Sequence, residues 1–340
     1  MKNINNNETL LDVRNLKVSF FTHFGEVKAV NDVSYHIKKG EVIAIVGESG
    51  CGKSVSQMSV LQLIQSPPGK IVGGEILFEG NDLLKYGPNS KEMLAVRGAE
   101  ISMIFQEPMT SLNPVFTIGN QLTEVISLHM NISRKDAWKS AINALAAVDI
   151  SEPEERMKSY PFELSGGMRQ RVLIALSIAC KSKLIIADEP TTALDVTTQA
   201  QVMELLISIV EEQRTSLVVV THNLGLVSRY AERIYVMYAG HIVESGNTRD
   251  ILKAPKHTYT VGLLNSVPRL EDDKDKNLVP IDGIPPNLID MPDICPFITR
   301  CVNVRSICEN QEAPKLRKVG GNNHYVACHL DNEEGLGYGL

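Results

Sequence analysis

The sequence predicts an α/β fold, and three observations predict it. An apolar run, Val42-Ile43-Ala44-Ile45-Val46, leads straight into a glycine-rich turn and then a helical stretch. Two further apolar runs, Ile101–Phe105 and Leu184–Ala187, end in residues able to carry chemistry. Helical periodicity fills the intervals between such runs, and that alternation produces βα units with a buried sheet.

The turn after the first run reads Gly47-Glu48-Ser49-Gly50-Cys51-Gly52-Lys53-Ser54. Strand, glycine-rich turn and helix are the context a phosphate-binding P-loop requires, so the class narrows to a P-loop NTPase. The glycines allow backbone N–H groups to face phosphate oxygens, and the helix N-terminus adds its positive end. Lys53 reaches the β- and γ-phosphates as a point charge, and the Ser54 hydroxyl ligates Mg²⁺. A tight turn capping a buried helix is the bland alternative. The order of elements favours a nucleoside triphosphate site.

Composition sets the limits. The chain has 340 residues, enough for one large domain plus an extension, or for two domains. With 43% hydrophobic and 22% charged residues it can bury a sizeable core. A net charge of −6 argues against a general nucleic-acid binder. The Asn-rich start is too polar for a secretory signal, and no apolar run is long enough to span a bilayer. Six cysteines without a signal segment point to thiols or metal ligands before disulfides.

In chain order, Leu10 to Phe21 and Ala29 to Ile37 read as strands. Phe20, Phe21 and Phe24 cluster near their junction, where one can stack on an adenine ring or simply fill the core. A helix is expected from Ser54 to about Gln65, a break at Pro67-Pro68-Gly69, and a strand from Ile71 to Phe78. The run 101–105 delivers Gln106, which can ligate Mg²⁺, position a water, or sit idle at the surface. Residues 107–116 are loop-like and offer Met109, Leu112 and Phe116 as an apolar docking patch. Helices are expected over Ile118 to Met130 and Arg134 to Val148.

Leu164-Ser165-Gly166-Gly167 precedes an apolar helix that ends near Cys180. Ser165 is a good N-cap, and the two glycines allow close approach of a phosphate. Leu184–Glu189 reads as a buried strand ending in Asp188 and Glu189. Beside a P-loop, the first carboxylate suits Mg²⁺ and the second suits a general base, although paired acids often just end a strand. Asp195 opens a long helix, Val196 to Gln213, and the strand Leu217 to Val220 delivers His222. That histidine reads as structural or as a contact to the γ-phosphate. Short strands close the region at Arg233 to Tyr238 and His241 to Glu244.

These motifs together resemble the ATP-binding-cassette (ABC) ATPases. The match runs through the P-loop (47–54), Gln106 as Q-loop, Leu164–Gly167 as signature, Leu184–Glu189 as Walker B, Asp195 as D-loop and His222 as switch histidine. Met168 departs from the commonest signature, while Ser165, Gly166 and Gly167 are intact. Glu107-Pro108-Met109-Thr110-Ser111-Leu112-Asn113-Pro114 and His257-Thr258-Tyr259-Thr260 are similar to the ATPase subunits of oligopeptide and dipeptide importers, a group that includes some nickel importers. The resemblance implies a cassette over 1–266 with a helical subdomain at about 107–180. ATP and Mg²⁺ then lie between the P-loop of one cassette and the signature of another, with Glu189 orienting water and His222 steadying the γ-phosphate. It also implies a second, related ATPase subunit, two membrane permease subunits, an external solute-binding protein acting indirectly, and a peripheral place on the cytoplasmic face of the membrane. A soluble ABC ATPase outside transport is the other class, and no nucleic-acid partner is expected.

Residues 267–293 carry five prolines and a mixed-charge run, which reads as an extended connector. In the extension 294–340, Cys295, Cys301, Cys308 and Cys328 suggest a thiolate site, yet their spacing lacks the C-x₂-C pairs of common zinc modules. Similar tails in the peptide-importer family are associated with a [4Fe–4S] cluster, and the resemblance implies one here, with zinc or free thiols as alternatives. Little apolar surface is expected in the extension itself, so a metal centre would help fold it.

Overall fold

The computed structural model describes residues 8–191, 194–266, 280–320 and 323–330. The fold is α/β, as expected, and the chain divides into two compact units.

One unit is built mainly from Lys85–Val220. Strands Ile101–Ile104, Leu184–Asp188 and Ser216–Thr221 run parallel, with Ile101 opposite Leu184 and Leu184 opposite Ser216. Leu184–Asp188 and Ser216–Thr221 are buried throughout, which is why they read as unbroken apolar runs. Helices Ile118–Met130, Arg134–Ala147, Gly166–Ile178 and Val196–Gln213 surround them. Each starts on a hydroxyl or carboxylate cap: Thr117, Ser133, Ser165 and Asp195 accept from the backbone N–H three residues on. The predicted pair 118–130 and 134–148 therefore forms with its ends nearly as expected.

The other unit comprises Leu11–His36, Ile43–Leu84 and Thr221–Leu340. Strands Thr9–Thr22, Gly25–Lys38, Gly69–Phe78 and Asn81–Asp82 form an antiparallel sheet. Val42–Val46 pairs in parallel with Arg233–Tyr238, which pairs antiparallel with His241–Asn247. The helix after the P-loop is Lys53–Val60, shorter than the expected reach to Gln65. Gln62 takes a left-handed φ of 49° and its side chain donates to the Leu83 carbonyl, so the chain turns away before the prolines.

The C-terminal extension has more apolar anchorage than its composition implies. Tyr325–Val326 pairs antiparallel with Glu244–Ser245 of the strand His241–Asn247, and Arg317–Lys318 pairs with it on the far side. Phe297 is 1% exposed, its ring 5.1 Å from Tyr238 and 5.4 Å from Tyr259. Glu244, fully buried, accepts from the backbone N–H groups of Lys256 and His257 and lies 2.6 Å from His324 Nε2. Of the connector, residues 267–279 lie outside the described residues. Its later part bridges back at Val27 and Ile289.

Candidate functional site

The P-loop is folded by its glycines. Gly47 and Gly52 have φ of 157° and 100°, and a Cβ on either would come within 2.1 Å of a backbone carbonyl, Met237 O and Ala29 O respectively. No side chain fits there. Lys53, 4% exposed, donates through Nζ to the carbonyls of Gly47 at 2.8 Å and Glu48 at 2.9 Å. Its ammonium is thus folded back over the loop that the sequence assigns to phosphate. The Cys51 thiol lies 3.9 Å from Lys53 Nζ, and burial pushes that thiol up despite the nearby positive charge. Ser54 opens the helix beside Lys53, half-buried.

Glu48 is held by two contacts that no local pattern announces. Its backbone N–H donates to Tyr259 Oη at 2.8 Å, and its carboxylate takes a two-pronged contact from Arg300 at 2.7 and 3.0 Å. Burial raises the Tyr259 phenol, so it stays protonated. Burial also pushes His257, which caps the helix bearing Tyr259, down to about 4, with Glu244 opposing, so its ring is neutral.

In the other unit Asp188 ends a buried strand and Glu189 follows it, 5% and 7% exposed. Glu189 takes a left-handed φ of 45°, uncommon for a non-glycine residue, and its N–H donates to Val220 O. Gln106, exposed at its strand end, donates through Nε2 to Glu189 Oε2 at 3.0 Å. The two residues picked out separately in the sequence therefore meet directly. Ser165, Gly166 and Gly167 line an open cleft with Met168, Leu194 and Asp195. Asp195 accepts from the Thr198 N–H and hydroxyl, and those hydrogen bonds hold its carboxyl below the usual range. His222 is exposed, immediately past the strand Ser216–Thr221.

The expected docking patch needs correction. Leu112 is 2% exposed and belongs to the core, and the Met109 side chain lies outside the described residues. The apolar groups that face solvent there are Val115, at 71%, and Phe116, at 51%. Among the three phenylalanines, Phe20 lies against Gly69, while Phe21 and Phe24 are exposed.

Cys295, Cys301, Cys308 and Cys328 line one small cavity with His257, Phe297 and His329. All four are free thiols. Burial, reinforced by the neighbouring cysteines, pushes the Cys295 thiol up to about 12, and burial also raises Cys328. Among the described residues, no three His, Cys, Asp or Glu side chains are gathered as a site for a metal ion, so the expected metal centre is not preformed.

Comparison with known proteins adds two family matches, an ABC transporter model over residues 30–192 and an oligopeptide/dipeptide transporter C-terminal region over 243–308. The dipeptide transport ATP-binding protein DppD of Bacillus subtilis (strain 168) is 47% identical over 326 residues, 96% of each chain. The oligopeptide transport ATP-binding protein OppD of the same organism is 49% identical, covering 94% of this chain and 88% of that one. A dimeric post-hydrolysis ATP-binding cassette, MJ0796 bound to ADP and Pi, superposes with a TM-score of 0.63 at 27% identity, covering 70% of this chain and 99% of that one.

Proposed function

The chain belongs to the ATP-binding subunits of oligopeptide/dipeptide ABC transporters, ATPases coupled to transport, and we propose that it drives short peptides inward as one half of a head-to-tail cassette pair. One observation carries this reading: the likeness to a peptide-transport ATPase extends over 96% of the chain, cassette and C-terminal region together.

Lys53 and the P-loop amides bind the β- and γ-phosphates. The oxygen donors Ser54, Gln106 and Asp188 match the hard-ligand chemistry of Mg²⁺, which when bound neutralises phosphate charge. Glu189 takes the proton of the attacking water, and the Gln106 amide holds its carboxylate in direction. His222 steadies the γ-phosphate. The cleft at Ser165–Gly167 and Asp195 receives the triphosphate held by the P-loop of a second, related ATPase subunit, and Phe21 or Phe24 stacks on the adenine. Two permease subunits ride on closure and reopening at the cytoplasmic face of the membrane, and a solute-binding protein outside delivers peptide. No helix among the described residues is long and apolar enough to cross a membrane, which suits a subunit that borrows its span from others.

The test is uptake of a labelled tripeptide by cells lacking this chain and complemented with variants. Wild-type chain restores peptide uptake and leaves labelled nickel uptake unchanged. Phe116→Asp loses most uptake while retaining ATP hydrolysis, because the exposed ring is the permease contact. Restored nickel uptake without peptide uptake would replace the substrate class, and normal uptake by Phe116→Asp would move the contact elsewhere.

We propose further that residues 294–340 act as a cysteine-rich extension whose four thiols ligate one [4Fe–4S] cluster. Support comes from their shared cavity and from the absence of disulfides among them. Four thiolates can ligate a [4Fe–4S] cluster, and the spacing of these cysteines lacks the C-x₂-C pairs of common zinc modules. When bound, the cluster supplies positive charge that makes buried thiolates tenable. Anaerobically purified chain should carry iron and acid-labile sulfide, and Cys→Ser at any of the four positions should lower both. Zinc without sulfide would install a zinc site instead, and no metal would end the idea.

A further inference from the structure

Arg300 closes the short turn Ile298–Arg300 inside the cysteine-bearing segment, one residue before Cys301. Its side chain is only 3% exposed, yet guanidinium is always charged. Nη1 donates to Glu48 Oε2 at 2.7 Å and Nη2 to Glu48 Oε1 at 3.0 Å. Nε donates to the Asp282 carbonyl, and the guanidinium lies 5.8 Å from the Tyr238 ring centre. A fork-on-carboxylate contact fixes direction as well as distance.

What Arg300 grips matters more than how. Glu48 is the second residue of the phosphate loop, its N–H held by Tyr259 and its carbonyl by the Lys53 ammonium. A carboxylate at this place, if unmatched, would repel a triphosphate and pull the loop out of shape.

We propose that Arg300 is a positioning residue of the phosphate loop: by gripping Glu48 it neutralises that carboxylate and keeps the loop set for ATP, so nucleotide affinity depends on how the cysteine-bearing segment is seated. This rests on reading Gly47–Ser54 as the ATP site. Seating reaches Arg300 through short links, since the Ile298 N–H donates to the Cys295 carbonyl and Cys301 Sγ lies 3.7 Å from Thr258 Oγ1, next to Tyr259.

The experiment titrates the full chain with a fluorescent ATP analogue and measures KM and kcat for ATP. Arg300→Ala weakens binding and raises KM about tenfold, while kcat changes less than about twofold, the signature of a lost binding contribution. Arg300→Lys recovers part of the loss, and adding Glu48→Gln to Arg300→Ala also restores part of the affinity, because the unmatched carboxylate is gone. Should Arg300→Ala fail to fold, the Arg300→Lys and Glu48→Gln pair carries the same cycle. Wild-type affinity in Arg300→Ala, or additive losses from the two positions, would overturn the proposal. Lys53→Ala separates the two readings. If it binds ATP normally, the loop assignment falls. If it loses ATP while Arg300→Ala keeps it, only the role of Arg300 falls.

Discussion

Glu189→Gln keeps ATP affinity near the wild-type value and lowers turnover by about a hundredfold or more, the range a general base commands. The amide has the shape of the carboxylate but cannot take a proton from water. Its oxygen can still accept from Gln106 Nε2, so the local geometry survives the change. The left-handed backbone at residue 189 is also unaffected, because the substitution changes only the end of the side chain. The bound nucleotide then persists, and the variant accumulates as a closed pair with its ATPase partner. Phosphate release, equilibrium binding and size-exclusion chromatography with ATP read the three effects. Hydrolysis near the wild-type rate would take Glu189 out of the reaction.

Lys53→Ala acts one step earlier and weakens nucleotide binding itself. A hydrogen bond to a charged group contributes about 1.5–3 kcal/mol, so losing the ammonium lowers affinity roughly ten- to a hundredfold. The loop is shaped by Gly47 and Gly52, which the substitution leaves in place, so the site keeps its outline. Two carbonyls, Gly47 O and Glu48 O, lose their donor, and a thermal melt beside the titration separates that structural loss from lost phosphate contact. Normal ATP affinity in a folded variant would count against the loop.

The parts legible in the sequence are those where one short segment carries both structure and chemistry. Strand, glycine turn and lysine lie within about a dozen residues, and the helices 118–130 and 196–213 declare both ends through their caps. Gln106 and Glu189 were each visible at a strand end, but their contact spans 83 positions and only folding brings them together. Arg300 was invisible for the same reason at greater distance, 252 positions from Glu48. Nothing near it distinguishes a buried, paired arginine from a solvated one. Leu112 misled because a proline-bounded loop looks exposed, whereas its side chain turns inward and leaves Val115 and Phe116 outside. The extension was misjudged in a similar way. Its own apolar content is small, but Phe297 borrows Tyr238 and Tyr259 from the cassette.

The two short strands at residues 317–318 and 325–326 also bear on self-association. Without them, His241–Asn247 would present its outer N–H and C=O groups to any extended chain nearby. With them, the outermost strand on that side among the described residues is two residues long and consists of Arg317 and Lys318. A border so short and cationic is a poor template for strand addition. The C-terminal segment thus acts as a hem on the sheet. That protection suits a protein whose working surface is meant for chosen partners, because it removes a place where unchosen ones would adhere.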